Sequence, residues 1–305
     1  MRIVVTGAGG FVGREICRLL LQRGDDIVGL DVNGQSMLDG IQQVIGELAD
    51  REIRHSLFSK GCDALIHLAT VPGGAAEADP AASRRVNVDA MYNLLSEAAE
   101  NQPGLRFVYA SSIAVLGDTL PPVVDDQTPL SPRMIYAGHK AMMEDAVAMF
   151  SNRGEIDGVT IRLPGILARP KGPSGLKSAF MSDLFHALKN NEPFECPVSA
   201  EGTIWAQSVR KCAENFVHAA LLNSAVLPAS RAVTLPAIRT SMADLAAEIA
   251  AQCQVASGLV TYLPDKQLEE AFARQPKLLT PAAELAGFSH DGNCANLVTN
   301  ALMSI

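Results

Sequence analysis

The sequence predicts an α/β fold in which a doubly wound parallel sheet is followed by a smaller C-terminal lobe. Two observations support this prediction. Continuous apolar runs of strand length alternate with amphipathic helical segments over residues 1–163, as expected of parallel strands that are buried on both faces. Beyond residue 163 the alternation loosens, which indicates a second lobe.

The first element is a strand, a glycine-rich turn and a helix. Arg2 to Thr6 is apolar, and Arg14 to Arg23 has apolar residues at helical spacing. Glycines between them let backbone amides and the positive end of a helix approach a pyrophosphate. The residues of the turn predicted to contact the cofactor are Gly7, Gly10, Phe11, Val12 and Gly13.

The next apolar run, Ile27 to Leu30, ends at an acidic residue, Asp31. A carboxylate about 20 residues after such glycines accepts hydrogen bonds from the adenosine ribose. It would also repel a 2′-phosphate, so the sequence predicts a Rossmann-like domain that binds NAD rather than NADP.

Composition excludes several classes of protein. The 305 residues suffice for one large domain or two packed ones. The net charge of −8 does not indicate a basic surface that would bind nucleic acid. The six cysteines and six histidines are scattered, so we expect free thiols and no metal site. No apolar run approaches the roughly 20 residues of a membrane span, and we expect a soluble, cytoplasmic protein.

The remaining elements follow in order. The predicted strands and helices are strand Ile41–Leu48, strand Asp63–Ala69, helix Pro80–Glu100, strand Leu105–Ala110 closing on Ser111 and Ser112, helix Tyr136–Phe150, strand Val159–Leu163, helix Ser208–Leu222, strand Ala232–Leu235 and helix Met242–Gln252. Residues 164–204 are rich in proline and glycine without a repeating pattern. We therefore predict an NAD-binding domain at 1–163, to which 205–235 return, and a substrate-binding lobe at 164–204 and 236–305.

Tyr136 and Lys140 lie four residues apart on a predicted helix and therefore share one face. A nearby Lys140 and the positive nicotinamide would lower the pKa of the tyrosine, which could then take a hydroxyl proton from a substrate. Ser112, at the carboxyl end of a strand, could hold the substrate oxygen. The pattern Tyr-x-x-x-Lys often occurs by chance. In a chain that also has the glycine-rich turn and a strand ending in Ser-Ser, it is a strong indication of a catalytic pair.

These motifs together resemble the extended short-chain dehydrogenase/reductase superfamily, which includes nucleotide-sugar epimerases and dehydratases. The resemblance implies that Ser112, Tyr136 and Lys140 form the catalytic set. It also implies cofactor contacts from Tyr136 and Lys140, with Glu47 and Leu48 flanking adenine, Asn87 positioning the active-site helix, and further contacts from Leu68, Ala69, Leu163 and Ile166. By the same resemblance, helices 80–100 and 136–153 would form a four-helix interface in a homodimer.

Two departures disfavour a nucleotide-sugar substrate. Leu116 stands where epimerases usually have an aromatic residue, and Arg162-Leu163-Pro164-Gly165 lacks their asparagine. The middle third is instead similar to the D-erythronate dehydrogenase branch, whose members oxidise a four-carbon sugar acid with NAD. The residues that carry this similarity are Arg162–Pro164, Arg169–Pro170, Pro173, Ser178, Phe180, Cys196–Val198, Trp205 and Ser208–Arg210.

A small acid needs a cation to hold its carboxylate, and arginine has a suitable planar fork. Arg169, Lys171 and Lys177 follow the sixth strand, where such a group should lie, although a solvated surface charge is the more common role for each one. Trp205, the only tryptophan, is either a pocket wall or a packing residue.

The leading hypothesis is therefore an NAD-dependent dehydrogenase that oxidises a secondary hydroxyl of a small sugar acid. A nucleotide-sugar epimerase or dehydratase, in which NAD is not consumed, is the alternative. A non-enzymatic NAD-binding scaffold is a third possibility, since fold alone does not give activity.

Overall fold

The structure, a computed structural model, describes residues 1–171 and 177–305. Its strands are β1 (Arg2–Thr6), β2 (Asp26–Asp31), β3 (Gln42–Ile45), β4 (Ala64–His67), β5 (Leu105–Ser112), β6 (Val123–Val124), β7 (Ile156–Leu163), β8 (Gly165–Ile166), β9 (Phe194–Cys196), β10 (Thr203–Gln207), β11 (Ala232–Thr234), β12 (Ile238–Ser241), β13 (Val260–Tyr262) and β14 (Lys277–Leu278). Its α-helices are α1 (Phe11–Gln22), α2 (Arg51–Leu57), α3 (Gly73–Ala78), α4 (Pro80–Arg84), α5 (Met91–Asn101), α6 (Ile135–Asn152), α7 (Phe180–Lys189), α8 (Val209–Leu221), α9 (Met242–Cys253), α10 (Lys266–Phe272), α11 (Pro281–Leu285) and α12 (Cys294–Leu302).

The central sheet has seven strands in the order β11-β7-β5-β4-β1-β2-β3. Every neighbouring pair in it is parallel. The chain begins in the middle, at β1, and the strand order reverses between β1 and β4. Ligands of doubly wound sheets bind at such a reversal, beyond the carboxyl ends of the strands. The predicted fold class, a Rossmann-like α/β sheet, is confirmed.

Helices cover both faces of this sheet, which explains its continuous apolar strands. On one face Ile16 and Leu20 of α1 pack with Phe216 of α8. On the other face Leu94 of α5 packs with Val147 of α6. All five side chains are shielded from solvent, so the sheet is a rigid support whose strand ends hold the site in place.

A second core lies outside the central sheet. The strands β12, β10 and β8 form a small sheet of their own. Leu184 of α7, Leu245 of α9 and Leu297 of α12 belong to one hydrophobic cluster beside it and are fully buried. The strand β11 and helix α8 instead belong to the central sheet and its covering layer. The division into an NAD-binding domain and a substrate-binding lobe stays a prediction.

Two local expectations were wrong. Residues 164–204 contain a regular helix, α7, whose apolar residues fill the second core; the surrounding prolines and glycines masked its periodicity. The strand predicted at Ile41–Leu48 is only β3, after which Gly46 donates its N–H to the Asp31 carbonyl. The helix predicted at Pro80–Glu100 is confirmed, with a π-helical segment, Arg85–Ala90, between α4 and α5.

Among the described residues, no helix combines the length and the apolar character needed to cross a membrane.

Candidate active site

The glycine turn leaves the space that a dinucleotide needs. A Cβ atom on Gly13 would lie 2.1 Å from the Gly7 carbonyl oxygen, and one on Gly7 would lie 2.9 Å from the Ala69 nitrogen. Gly7 also has a φ of +73°, which favours glycine. Gly10 precedes α1, and no side chain caps that helix. The backbone N–H groups at its start are therefore available to a pyrophosphate, with Phe11 and Val12 forming the first turn.

Asp31 is held by backbone groups at the end of β2. Its Oδ2 accepts a hydrogen bond from the Gly9 nitrogen at 2.9 Å, and its Oδ1 accepts one from the Asn33 nitrogen at 3.1 Å. Each carboxylate oxygen has a second lone pair, which suits hydrogen bonds from two ribose hydroxyls. The residues that surround this end of the sheet fit NAD.

A buried pair fixes the end of β4 beside the turn. The hydroxyl of Thr6 lies 2.7 Å from His67 Nδ1, and the Leu68 nitrogen donates to the Thr6 carbonyl at 3.1 Å. Burial lowers the pKa of His67 to about 3, and the charge of Lys140 acts in the same direction. His67 is therefore neutral and structural, and it presents Leu68 and Ala69 to the glycine turn.

Asn87 holds the loop that follows β4. Its Oδ1 accepts hydrogen bonds from the Val71 nitrogen at 2.7 Å and from the Thr70 hydroxyl at 3.0 Å, and its Nδ2 donates to the Val71 carbonyl at 2.9 Å. Ser83 receives a further bond from Nδ2 and lies 3.0 Å from His139 Nδ1. Asn87 is buried in the π-helical segment, so its contacts join the β4 loop to α6; direct contact with the cofactor stays a prediction.

The other predicted cofactor contacts lie around the same sheet edge. Glu47 is exposed, whereas Leu48 is buried in the core below it. Leu163 is partly buried at the end of β7, and Ile166 is buried in β8. Their roles toward NAD stay predictions.

Tyr136 and Ser112 meet at the carboxyl end of β5. Tyr136 lies in the first turn of α6, and Ser112 ends β5. Burial raises the pKa of Tyr136 to about 12, while the charge of Arg169 and a hydrogen bond with Ser112 act to lower it. The cation that lowers this pKa within the protein is thus Arg169, not Lys140 as the sequence suggested.

Lys140 lies beneath the tyrosine. Its Nζ donates to the Ala110 carbonyl at 2.7 Å and lies 5.6 Å from the centroid of the Tyr136 ring and 4.8 Å from that of Tyr109. Burial lowers the pKa of Lys140 to about 7, against the opposing charge of Glu144. Burial therefore weakens the positive charge that Lys140 was expected, from the sequence, to place beside the tyrosine.

Sequence reasoning missed the ion pair behind Lys140. Arg162 Nη2 lies 2.7 Å from Glu144 Oε2, and the Ser111 hydroxyl donates to Glu144 Oε1. Glu144 and Ser111 are buried, so the pair ties α6 to the ends of β5 and β7. The signal was available, since Glu144 follows Lys140 by four residues and therefore shares its helical face.

Arg169 is the predicted substrate cation that the structure brings to the catalytic residues. Its guanidinium carbon lies 5.6 Å from the centroid of the Phe11 ring, and burial lowers its pKa, with Tyr136 acting in the opposite direction. No ion pair to Arg169 occurs within residues 1–171 and 177–305. Its contacts thus join the glycine turn to the second core.

The other three substrate candidates differ from Arg169. Lys171 is exposed, and the side chain of Lys177 lies outside the described residues. Trp205 is 1% exposed, and its Nε1 donates to the Pro276 carbonyl at 2.7 Å. It fills a small core with Val115 and Leu116, an arrangement that favours packing over contact with a substrate.

In the described part of the chain, no group of three or more histidine, cysteine or acidic side chains could hold a metal ion.

The fold and this edge of the sheet define an NAD-dependent enzyme of the extended short-chain dehydrogenase/reductase type. Residues 3–209 match the NAD dependent epimerase/dehydratase family, and the chain belongs to that family. The predictions of this family, of an enzyme and of NAD as its cofactor are confirmed.

Relatives in this family include two named D-erythronate dehydrogenase. The protein from Haemophilus influenzae is 28% identical over 309 residues, 98% of this chain and 98% of the relative. The protein from Cupriavidus necator is 34% identical over 258 residues, 80% of each chain. A solved nucleoside-diphosphate-sugar epimerase from Agrobacterium tumefaciens superposes with a TM-score of 0.89 at 24% identity, covering 98% of this chain and 92% of that chain; this likeness concerns the fold.

Proposed function

We propose that this protein is an NAD-dependent dehydrogenase that oxidises a secondary hydroxyl of a small, D-erythronate-like sugar acid. The observation that carries the proposal is the position of Arg169. A half-buried guanidinium acts on the phenol of Tyr136, so one cation serves both the acid–base residue and an anionic substrate. The names of the two relatives support the same substrate class.

In the proposed mechanism each residue has one task. The Ser112 hydroxyl and Tyr136 hold the substrate hydroxyl, and Tyr136, as the phenolate, takes its proton. Lys140, fixed on the Ala110 carbonyl, keeps the tyrosine in place. Arg169 binds the substrate carboxylate through its planar fork. NAD, when bound by the glycine turn and Asp31, supplies the hydride acceptor.

The assay that tests this proposal follows NADH formation from NAD with four- to six-carbon aldonic and uronic acids. We expect net NADH with one or more acids and none with the corresponding neutral polyols, because these lack the carboxylate. Conversion of a nucleotide sugar without net NADH would favour the epimerase alternative and contradict the proposal.

Arg169→Gln tests the substrate cation itself. Charged hydrogen bonds contribute about 1.5–3 kcal/mol, so we expect the KM for the acid to rise by about 10- to 100-fold. The matched control is Arg239→Gln, which removes a guanidinium bonded to the Gln275 carbonyl in the small sheet. An unchanged KM in Arg169→Gln would argue against this carboxylate site.

Three further predictions from the sequence stay proposals. A homodimer would pair helices 80–100 and 136–153, where Tyr92, Met142 and Met149 are exposed apolar residues. Light scattering of the purified protein tests this assembly. The cytoplasmic location and the substrate-binding lobe are likewise predictions, testable by cell fractionation and by limited proteolysis.

A further inference from the structure

The backbone that carries Arg169 has an unusual conformation. Ala168 is fully buried and has a φ of +56°, in the left-handed region that residues with a side chain rarely adopt. Such strain persists where the surrounding contacts impose it, and it concentrates at functional sites. The contacts around Ala168 therefore show what this conformation achieves.

Three hydrogen bonds fix the residues on either side of Ala168. The Leu167 nitrogen donates to the Gln207 carbonyl at 3.0 Å. The Arg169 nitrogen donates to the Ser182 hydroxyl at 3.1 Å, and His186 Nε2 donates to the Arg169 carbonyl at 2.7 Å. Ser182 and His186 are four residues apart on α7 and so share one helical face. Both polar groups of the Arg169 backbone are thus held by one helix.

We propose that Ser182 and His186 are positioning residues that aim the Arg169 guanidinium, and so determine how tightly the site binds a carboxylate substrate. The guanidinium packs on the Phe11 ring on one side, and its backbone is held on the other. A long arginine side chain has many rotamers, and fixing its base reduces the entropy lost when it binds a carboxylate. This inference rests on the proposed function.

The test compares His186→Ala with His186→Gln. Glutamine can donate an N–H to the same carbonyl, so it should restore what alanine removes. His218→Ala is the matched control, because His218 Nε2 also donates to a backbone carbonyl, that of Ala286, at 2.7 Å but far from Arg169 in the sequence. For each variant the KM for D-erythronate, kcat and the Kd for NAD are measured.

We expect His186→Ala to raise the KM for the acid about tenfold while the Kd for NAD changes less than about twofold, because small misplacements of binding groups have large effects. His186→Gln should restore the KM, and His218→Ala should leave it unchanged. In an Arg169→Gln background, His186→Ala should cause no further rise. If His186→Ala does not fold, Ser182→Ala removes the companion hydrogen bond and serves the same comparison.

Three results would distinguish failure of this inference from failure of the proposed function. A raised KM in Arg169→Gln with an unchanged KM in His186→Ala and Ser182→Ala would overturn the positioning role alone. An unchanged KM in Arg169→Gln would overturn both the carboxylate assignment in the proposed function and this inference. An equal rise from His186→Ala with and without Arg169 would assign His186 a purely structural role.

Discussion

The nucleotide end and the substrate end of this site are built by different means. At the nucleotide end the site is formed mainly by the backbone. Gly7, Gly10 and Gly13 shape the turn, and two amide N–H groups hold Asp31. At the substrate end the functional group is a side chain, Arg169, which depends on contacts from a helix beyond it in the chain.

Because of this difference, we expect the two ends to tolerate substitutions differently. A backbone cradle needs glycine at fixed spacing, and a single Cβ atom fills it. A side-chain site can take other shapes as long as one cation is correctly placed. Substitutions in the first region should therefore affect all substrates through NAD, whereas substitutions in the second should affect only the acid.

The largest effect is expected where the two ends meet, at Tyr136. Tyr136→Phe removes the proposed proton acceptor, and we expect kcat to fall about 1,000-fold, a range common for general acid–base catalysis. The Kd for NAD, measured by titration calorimetry, should change little. Tyr262→Phe, in β13, is the control. Retention of more than a tenth of kcat by Tyr136→Phe would remove this tyrosine from the mechanism.

The next largest effect is expected on the affinity for NAD when the glycine-rich turn is disrupted. In Gly13→Ala the new Cβ would lie 2.1 Å from the Gly7 carbonyl oxygen, so the turn must move. We expect the affinity for NAD to fall about 100-fold, equivalent to about 2.7 kcal/mol. Gly258→Ala adds a methyl group where no atom lies within 4 Å and should bind NAD normally. Equal affinities in the two variants would show that the turn does not contact the cofactor.

A smaller change should follow from Asp31→Asn. Asparagine keeps an acceptor for one of the two backbone N–H groups but removes the charge that repels a 2′-phosphate. A repulsion of about 1.4 kcal/mol corresponds to a tenfold change, so the ratio of kcat/KM for NADP to that for NAD should rise by that factor. Asp39→Asn, at an exposed carboxylate, should leave the ratio unchanged. No gain with NADP would mean that other groups select the cofactor.

The remaining effect concerns stability rather than rate. Burial lowers the pKa of Lys140 from 10.5 to about 7, so between these pH values the unfolded chain binds more protons than the folded one. The free energy of unfolding should therefore rise with pH in this window, by at most about 1.4 kcal/mol per unit.

Denaturant unfolding at pH 7, 8 and 9 measures this slope. Lys140→Met should reduce the slope of the free energy of unfolding against pH, whereas Lys60→Met, at an exposed lysine, should leave that slope unchanged. The same slope in wild type and Lys140→Met would show that Lys140 is not neutralised by burial.

Much of the fold and the nucleotide end could be predicted from the sequence. The run from β1 through Gly13 to Asp31 is local, and its glycine spacing follows from backbone sterics. The four-residue interval from Tyr136 to Lys140 likewise fixes one helical face. These features can be predicted without knowing which distant residues come into contact.

The substrate end depends on long-range contacts that the sequence does not display. Nothing local indicates that His186 would hold the Arg169 carbonyl, or that Arg169 rather than Lys140 would be the cation that lowers the pKa of Tyr136. The helix α7 was missed because prolines and glycines surround it. Side-chain sites of this kind become visible only when the fold brings their parts together.

The most direct test of the central claim is hydride transfer from a small acid to NAD. D-erythronate deuterated at its carbinol carbons would be incubated with the enzyme and excess NAD, and the nucleotide analysed by mass spectrometry. The proposed function predicts one deuterated NADH for each acid molecule oxidised. Formation of no labelled NADH from this or any other deuterated small acid, together with conversion of a nucleotide sugar without net NADH, would contradict it.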